Sequence, residues 1–84
     1  MSRVNPLSDK SLLEIRRMIV LRHRIGLGQT AFSNIACITV ANLIHRERGV
    51  VPWQPGEISA ITCKLERHFH ACLAVVEEFK DGAQ

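Results

Sequence analysis

His68, His70 and Cys72 crowd the C-terminal third of the chain, with Cys63 a short way upstream. All are metal-ligating residue types, and His68 and Cys72, four residues apart, would share one face of a helix. Cys63 and His70, seven apart, share a different face, so the four do not converge on one ion from a single helix. No CxxC or HxxxH spacing adds to them, and neither a metal nor a cofactor is expected. Cysteine–histidine catalysis needs a thiol of depressed pKa, an oriented base and an oxyanion site at a turn or helix N-terminus. Cys37, Cys63 and Cys72 instead fall inside expected helices among apolar neighbours, where buried, free thiols are anticipated. Glu57, Glu77 and Glu78 have no setting as a general acid/base couple. Gly26-Leu27-Gly28 is too short to cradle phosphate and follows no strand. The expectation is a protein that is not an enzyme.

Three helices would carry these residues. Ser8 before Asp9, or Ser11 with Glu14 three residues later, starts the first, and Gly26 stops it, giving a helix over about 9–25. Its main apolar arc is Leu12, Ile15, Met18, Ile19, Leu21 and Ile25, and Leu13 with Val20 forms a second stripe. The second helix is expected over about 30–48, with Thr30 as N-cap and Gly49 as stop. It is apolar enough to sit in the middle of a bundle, with Asn34, Thr39, Asn42, His45 and Arg46 on a narrow polar side. Pro52 and Pro55 hold the linker to the third helix extended, and Val50, Val51 and Trp53 should pack across the bundle end.

The third helix, over about 55–81, is the most informative element. Pro55 suits its first turn, Gly82 its end, and no Pro or Gly interrupts it after Gly56. Roughly 26 residues at 1.5 Å each make about 39 Å of helix. A compact 84-residue chain has a radius of gyration of only about 12 Å. The helix should therefore overhang its own domain. Ile58, Leu65, Cys72 and Phe79 recur every seven residues along it, which suits a helix-on-helix seam. The chain is thus expected to be one all-α domain over 1–84, a three-helix bundle with a long C-terminal helix. A core this small benefits from oligomerisation, and a homodimer is expected with Leu65, Phe69, Cys72, Val76 and Phe79 in its interface.

Charge is unevenly shared between the two parts. Residues 1–54 hold eight Lys/Arg against three Asp/Glu, whereas residues 55–84 hold three against five. Arg16, Arg17, Arg22 and Arg24 form a basic cluster suited to phosphate or to an acidic protein surface. Arg16, Arg17 and Arg24, with Trp53 as an aromatic anchor, are the expected partner-binding residues. An odd number of free thiols, no leader-like apolar run in Met1–Pro6 and no apolar window long enough for a bilayer imply a soluble, cytoplasmic protein without a membrane partner.

Around Gly26, the spacing of Leu21, Ile25, Leu27, Phe32 and Ile35 resembles the helix-turn-helix of bacterial and phage repressors, over about residues 18–37. The resemblance implies that Gln29, Thr30, Ser33 and Asn34 face the major groove while Arg22 reaches phosphate. Arg22 departs from that pattern, because it stands where the first helix normally carries a small residue. As a short, basic, helical chain without catalytic motifs, the protein also looks like the small accessory proteins of prophages and phage satellites. That likeness implies a regulator that binds and modulates another protein, such as a repressor, a polymerase or a packaging subunit. Protein is the expected partner, and a helix-turn-helix DNA-binding regulator is the alternative.

Overall fold

Ser8 starts the first helix as its side chain predicts: its hydroxyl accepts the Ser11 N–H at 3.1 Å, and α1 runs Asp9–Arg24. The computed structural model describes residues 7–82. After α1 come α2 (Gln29–Ala36), α3 (Val40–Glu47) and α4 (Glu57–Gly82), so the described residues are all-helical, in four helices rather than three. The expected middle helix over 30–48 is broken in two. At its start, Gly28 rather than Thr30 holds the N-cap position.

The break has a local cause. Cys37 adopts the left-handed conformation, φ 60° and ψ 42°. The Cys37 N–H bonds to the Asn34 carbonyl and the Ile38 N–H to the Ser33 carbonyl, the paired bonds of a Schellman stop. Thr39 then caps α3 by accepting the Asn42 N–H on its hydroxyl at 3.1 Å. Gly26 and Gly49 end α1 and α3 with the same pair of backbone bonds at φ 75° and 79°. Cys37 does at the end of α2 what glycine does at the other two stops, without glycine's freedom.

One residue set from all four helices closes the core: Ile15 and Met18 of α1, Phe32 and Ala36 of α2, Leu43 of α3, Ile61 and Leu65 of α4, with Trp53 of the linker. Gln54 to Gly56 form the turn into α4, where the Gln54 N–H donates to the Glu57 carboxylate and the Glu57 N–H donates to the Gln54 carbonyl at 3.0 Å. Only the first turns of α4 pack on this head. From Glu66 to Lys80 every residue is exposed, so the helix projects as its length predicted. The radius of gyration is 16.3 Å and the principal extents are 68 × 19 × 19 Å, well beyond the ~12 Å of a compact chain this long. No helix among the described residues is long and apolar enough to cross a membrane.

Candidate nucleic-acid interface

α2 and α3 are each eight residues long and are joined by the three-residue turn Cys37–Thr39. Two short helices joined by so tight a turn have the connection length of a helix-turn-helix. Phe32 and Ser33 of α2 and Leu43 of α3 are fully buried. A residue as small as Ser33 at the centre of α2 leaves room for its neighbours to approach closely. Its hydroxyl has no hydrogen-bond partner there, so the position is held by size rather than polarity.

The α2–turn–α3 unit lies later in the chain than the stretch 18–37, and two of the residues expected to face DNA there are turned inward. Ser33 does not face outward but is 1% exposed. Arg22 is 8% exposed and does not reach for phosphate. Its Nε and Nη2 donate to the Glu47 carboxylate at 2.7 and 3.0 Å, and its Nη1 donates to the Leu27 carbonyl. The Gln29 amide donates to the same carboxylate at 2.9 Å. Glu47, at the end of α3, is thus clamped to α1 and to the start of α2. Burial pushes its carboxyl pKa up, but the hydrogen bonds from Arg22 and Gln29 and the nearby charges of Arg22 and His23 outweigh that and hold it below its ordinary 4.5. Thr30 and Asn34 are exposed on α2.

The outward side of α3 presents Ala41, Asn42, His45 and Arg48, all exposed, with Thr39 at its start. Residues 41, 45 and 48 share one face by helical spacing, and Asn42 stands beside them. An amide, an imidazole and a guanidinium can hydrogen-bond base edges, and an alanine methyl can meet that of thymine. Arg46 is turned inward. Its guanidinium bonds the Glu57 carboxylate at 3.2 Å and lies 5.1 Å from the centre of the Trp53 ring. That arrangement locks the end of α3 to the start of α4.

Of the expected partner residues, Arg16, Arg17 and Arg24 are exposed on α1, in no ion pair among the described residues. Trp53 is not available as an anchor: the residue is 5% exposed, inside the core, with its ring beneath Arg46. Leu65 is likewise buried in its own core, whereas Phe69, Cys72, Val76 and Phe79 lie open on α4. The three thiols are exposed, not buried, because the turn carries Cys37 outward and Cys63 and Cys72 lie on the open side of α4. Cys72 Sγ is 3.5 Å from His68 Nε2, the pairing that their spacing implied. Among the described residues, no group of three or more His, Cys, Asp or Glu side chains is arranged to hold a metal ion.

Of the residues on this face, Asn42 and His45 belong to the narrow polar side expected of the middle helix, whereas nothing in the sequence singles out Arg48. The available signal was Thr39 as an N-cap inside an apparently continuous apolar helix. Set against family models, curated proteins and solved structures, the chain has no significant match to any of them.

Proposed function

We propose that this chain is a non-enzymatic regulator that binds double-stranded DNA through the α2–turn–α3 unit. α3 enters the major groove and α2 crosses the adjacent backbone. The observation that carries this reading is the pairing of a left-handed stop at Cys37 with a Thr39-capped α3 whose outward face is Asn42, His45 and Arg48. Charge distribution supports it: residues 1–54 carry the basic excess and α4 the acidic one, so the head meets phosphate while α4 stays clear. Arg16, Arg17 and Arg24 supply sequence-independent contacts, and α3 supplies discrimination.

Selection from a pool of randomised duplexes tests this directly. The full chain should enrich a short motif, and Asn42→Ala should relax preference at one position of it. Failure to enrich any motif over the starting pool would sink the proposal.

One observation favours a second reading, in which the regulator acts on a protein. The exposed apolar side chains of Phe69, Leu73, Val76 and Phe79 are a surface that DNA does not need. A nuclease-resistant, near-stoichiometric partner, lost on reversing Arg16 and Arg17 to Glu, would move that reading to first place.

A further inference from the structure

Beyond Leu65, its last buried residue, α4 continues to Gly82, about 25 Å at 1.5 Å per residue. Phe69, Cys72, Val76 and Phe79 follow one another at alternate steps of three and four, the spacing of a two-helix seam. At the head end of this stripe lies an apolar groove of about 390 Å³, walled by Leu21 and Ile25 of α1 and by Leu65, Phe69 and Leu73 of α4. At the far end stands Phe79, 75% exposed and the most open large apolar side chain among the described residues. We propose that a second copy of this chain covers this face with its α4 running antiparallel, so that each Phe79 fills the α1–α4 groove of the other.

Orientation follows from where groove and plug sit. They lie at opposite ends of the same stripe, so only an antiparallel pair brings them together. With Phe79 of one copy level with Phe69 of the other, Cys72 meets Val76 of the second copy in the next layer. Charge agrees with this register. Glu66 flanks the seam near the head and Lys80 flanks it near the tip, so an antiparallel pair sets them against each other twice. A parallel pair would leave the groove empty, bring Val75 beside Lys80, and align the two helix dipoles unfavourably. The two heads end up on opposite ends of the seam, roughly 40 Å apart between the levels of their Ile61 residues. The seam holds whether or not α3 reads DNA.

The native thiols provide the test. In one full-length variant Cys37 and Cys63 become Ser, leaving Cys72 alone. In a second, Cys72 also becomes Ser and Val76→Cys carries the only thiol. A disulfide needs Cα atoms within about 7 Å. Mixing the two variants under mild oxidation should give a mixed disulfide dimer, several-fold more abundant than the disulfide formed by either alone. Preferential self-linkage, each variant joining to its own kind through its single thiol, would establish a parallel pair and overturn the proposal. Sedimentation of the unmodified chain should show a dimer at micromolar concentration, and a monomer there would also overturn it. Phe79→Ala removes a side chain outside the head, so helicity should hold while the dimer dissociation constant rises at least about tenfold. Unchanged dimerisation in that variant would remove Phe79 from the groove. A monomer that still selects a DNA motif refutes the seam alone, and an antiparallel dimer that selects none refutes the DNA reading alone.

Discussion

Cys37→Gly should make this protein more stable, although it deletes a side chain and inserts glycine into a helical region. Cys37 holds φ 60° and ψ 42°, where an L-side chain crowds the following carbonyl at a cost of roughly 1–2 kcal/mol. Glycine removes that strain but loses about 0.5–1 kcal/mol more backbone entropy than alanine on folding. The thiol is exposed, so no core contact is lost. The net gain is about 0.5–1 kcal/mol. For a chain of this length that is a rise in Tm of roughly 2–8 °C. Cys37→Ala keeps the strain and should be nearly neutral, while β-branched Cys37→Val should lower Tm. Thermal melts followed by circular dichroism, in reducing buffer at one protomer concentration, separate the three. If the helix ran unbroken through Cys37, glycine would instead act as an interior breaker, costing about 1 kcal/mol and lowering Tm. That result would refute both the turn and the DNA-binding proposal built on it.

Other perturbations probe the packing around this turn. Ser33 carries a buried hydroxyl with no partner, so Ser33→Ala should be neutral or stabilising by up to about 1 kcal/mol in denaturant titration, whereas Ser33→Leu should cost at least about 2 kcal/mol through overpacking. Glu47 sets an acid limit. Its pKa is lowered in the folded state, so the unfolded chain takes up its proton first as pH falls. The stability it contributes is fully present above about pH 4.5 and is lost as pH drops through the lower folded value. Glu47→Gln should therefore be less stable at pH 7 and show a shallower decline of Tm between pH 5 and about pH 3, and an unchanged slope would discount the clamp.

What could be read from the residues, and what could not, divides along physical lines. Helix ends marked by residues with one conformational role were legible: Ser8 as a cap, and Gly26 and Gly49 as stops. So was α4, where nothing interrupts a long apolar pattern, and the core positions Ile15, Met18, Phe32 and Leu43 followed from helical spacing. The turn at Cys37 was hidden because an ordinary L-residue occupies a glycine's conformation there. The apolar residues of α2 and α3 stay close enough to one period to imitate a single helix. Local spacing around Gly26 also gives no sign that Arg22 and Ser33 turn inward. Arg22 is instead held inward by Glu47, 25 residues away in sequence, a pairing no local pattern shows. Residue type makes Trp53 look like an anchor, but its burial beneath Arg46 is a property of the assembled fold.

Whether α3 reads base pairs decides whether this protein is a DNA-binding regulator. The direct measurement is fluorescence anisotropy of the selected duplex and a scrambled duplex across a salt series, for the unmodified chain and for Asn42→Ala, His45→Ala and Arg48→Ala. The prediction is log affinity falling steeply with log salt on both duplexes, and tighter binding of the selected one. At least one of the three substitutions should then weaken the selected duplex about tenfold or more, as a lost base contact of ~1–3 kcal/mol requires, and change the scrambled one far less. Equal affinity for the two duplexes, or specific binding untouched by all three substitutions, would contradict it.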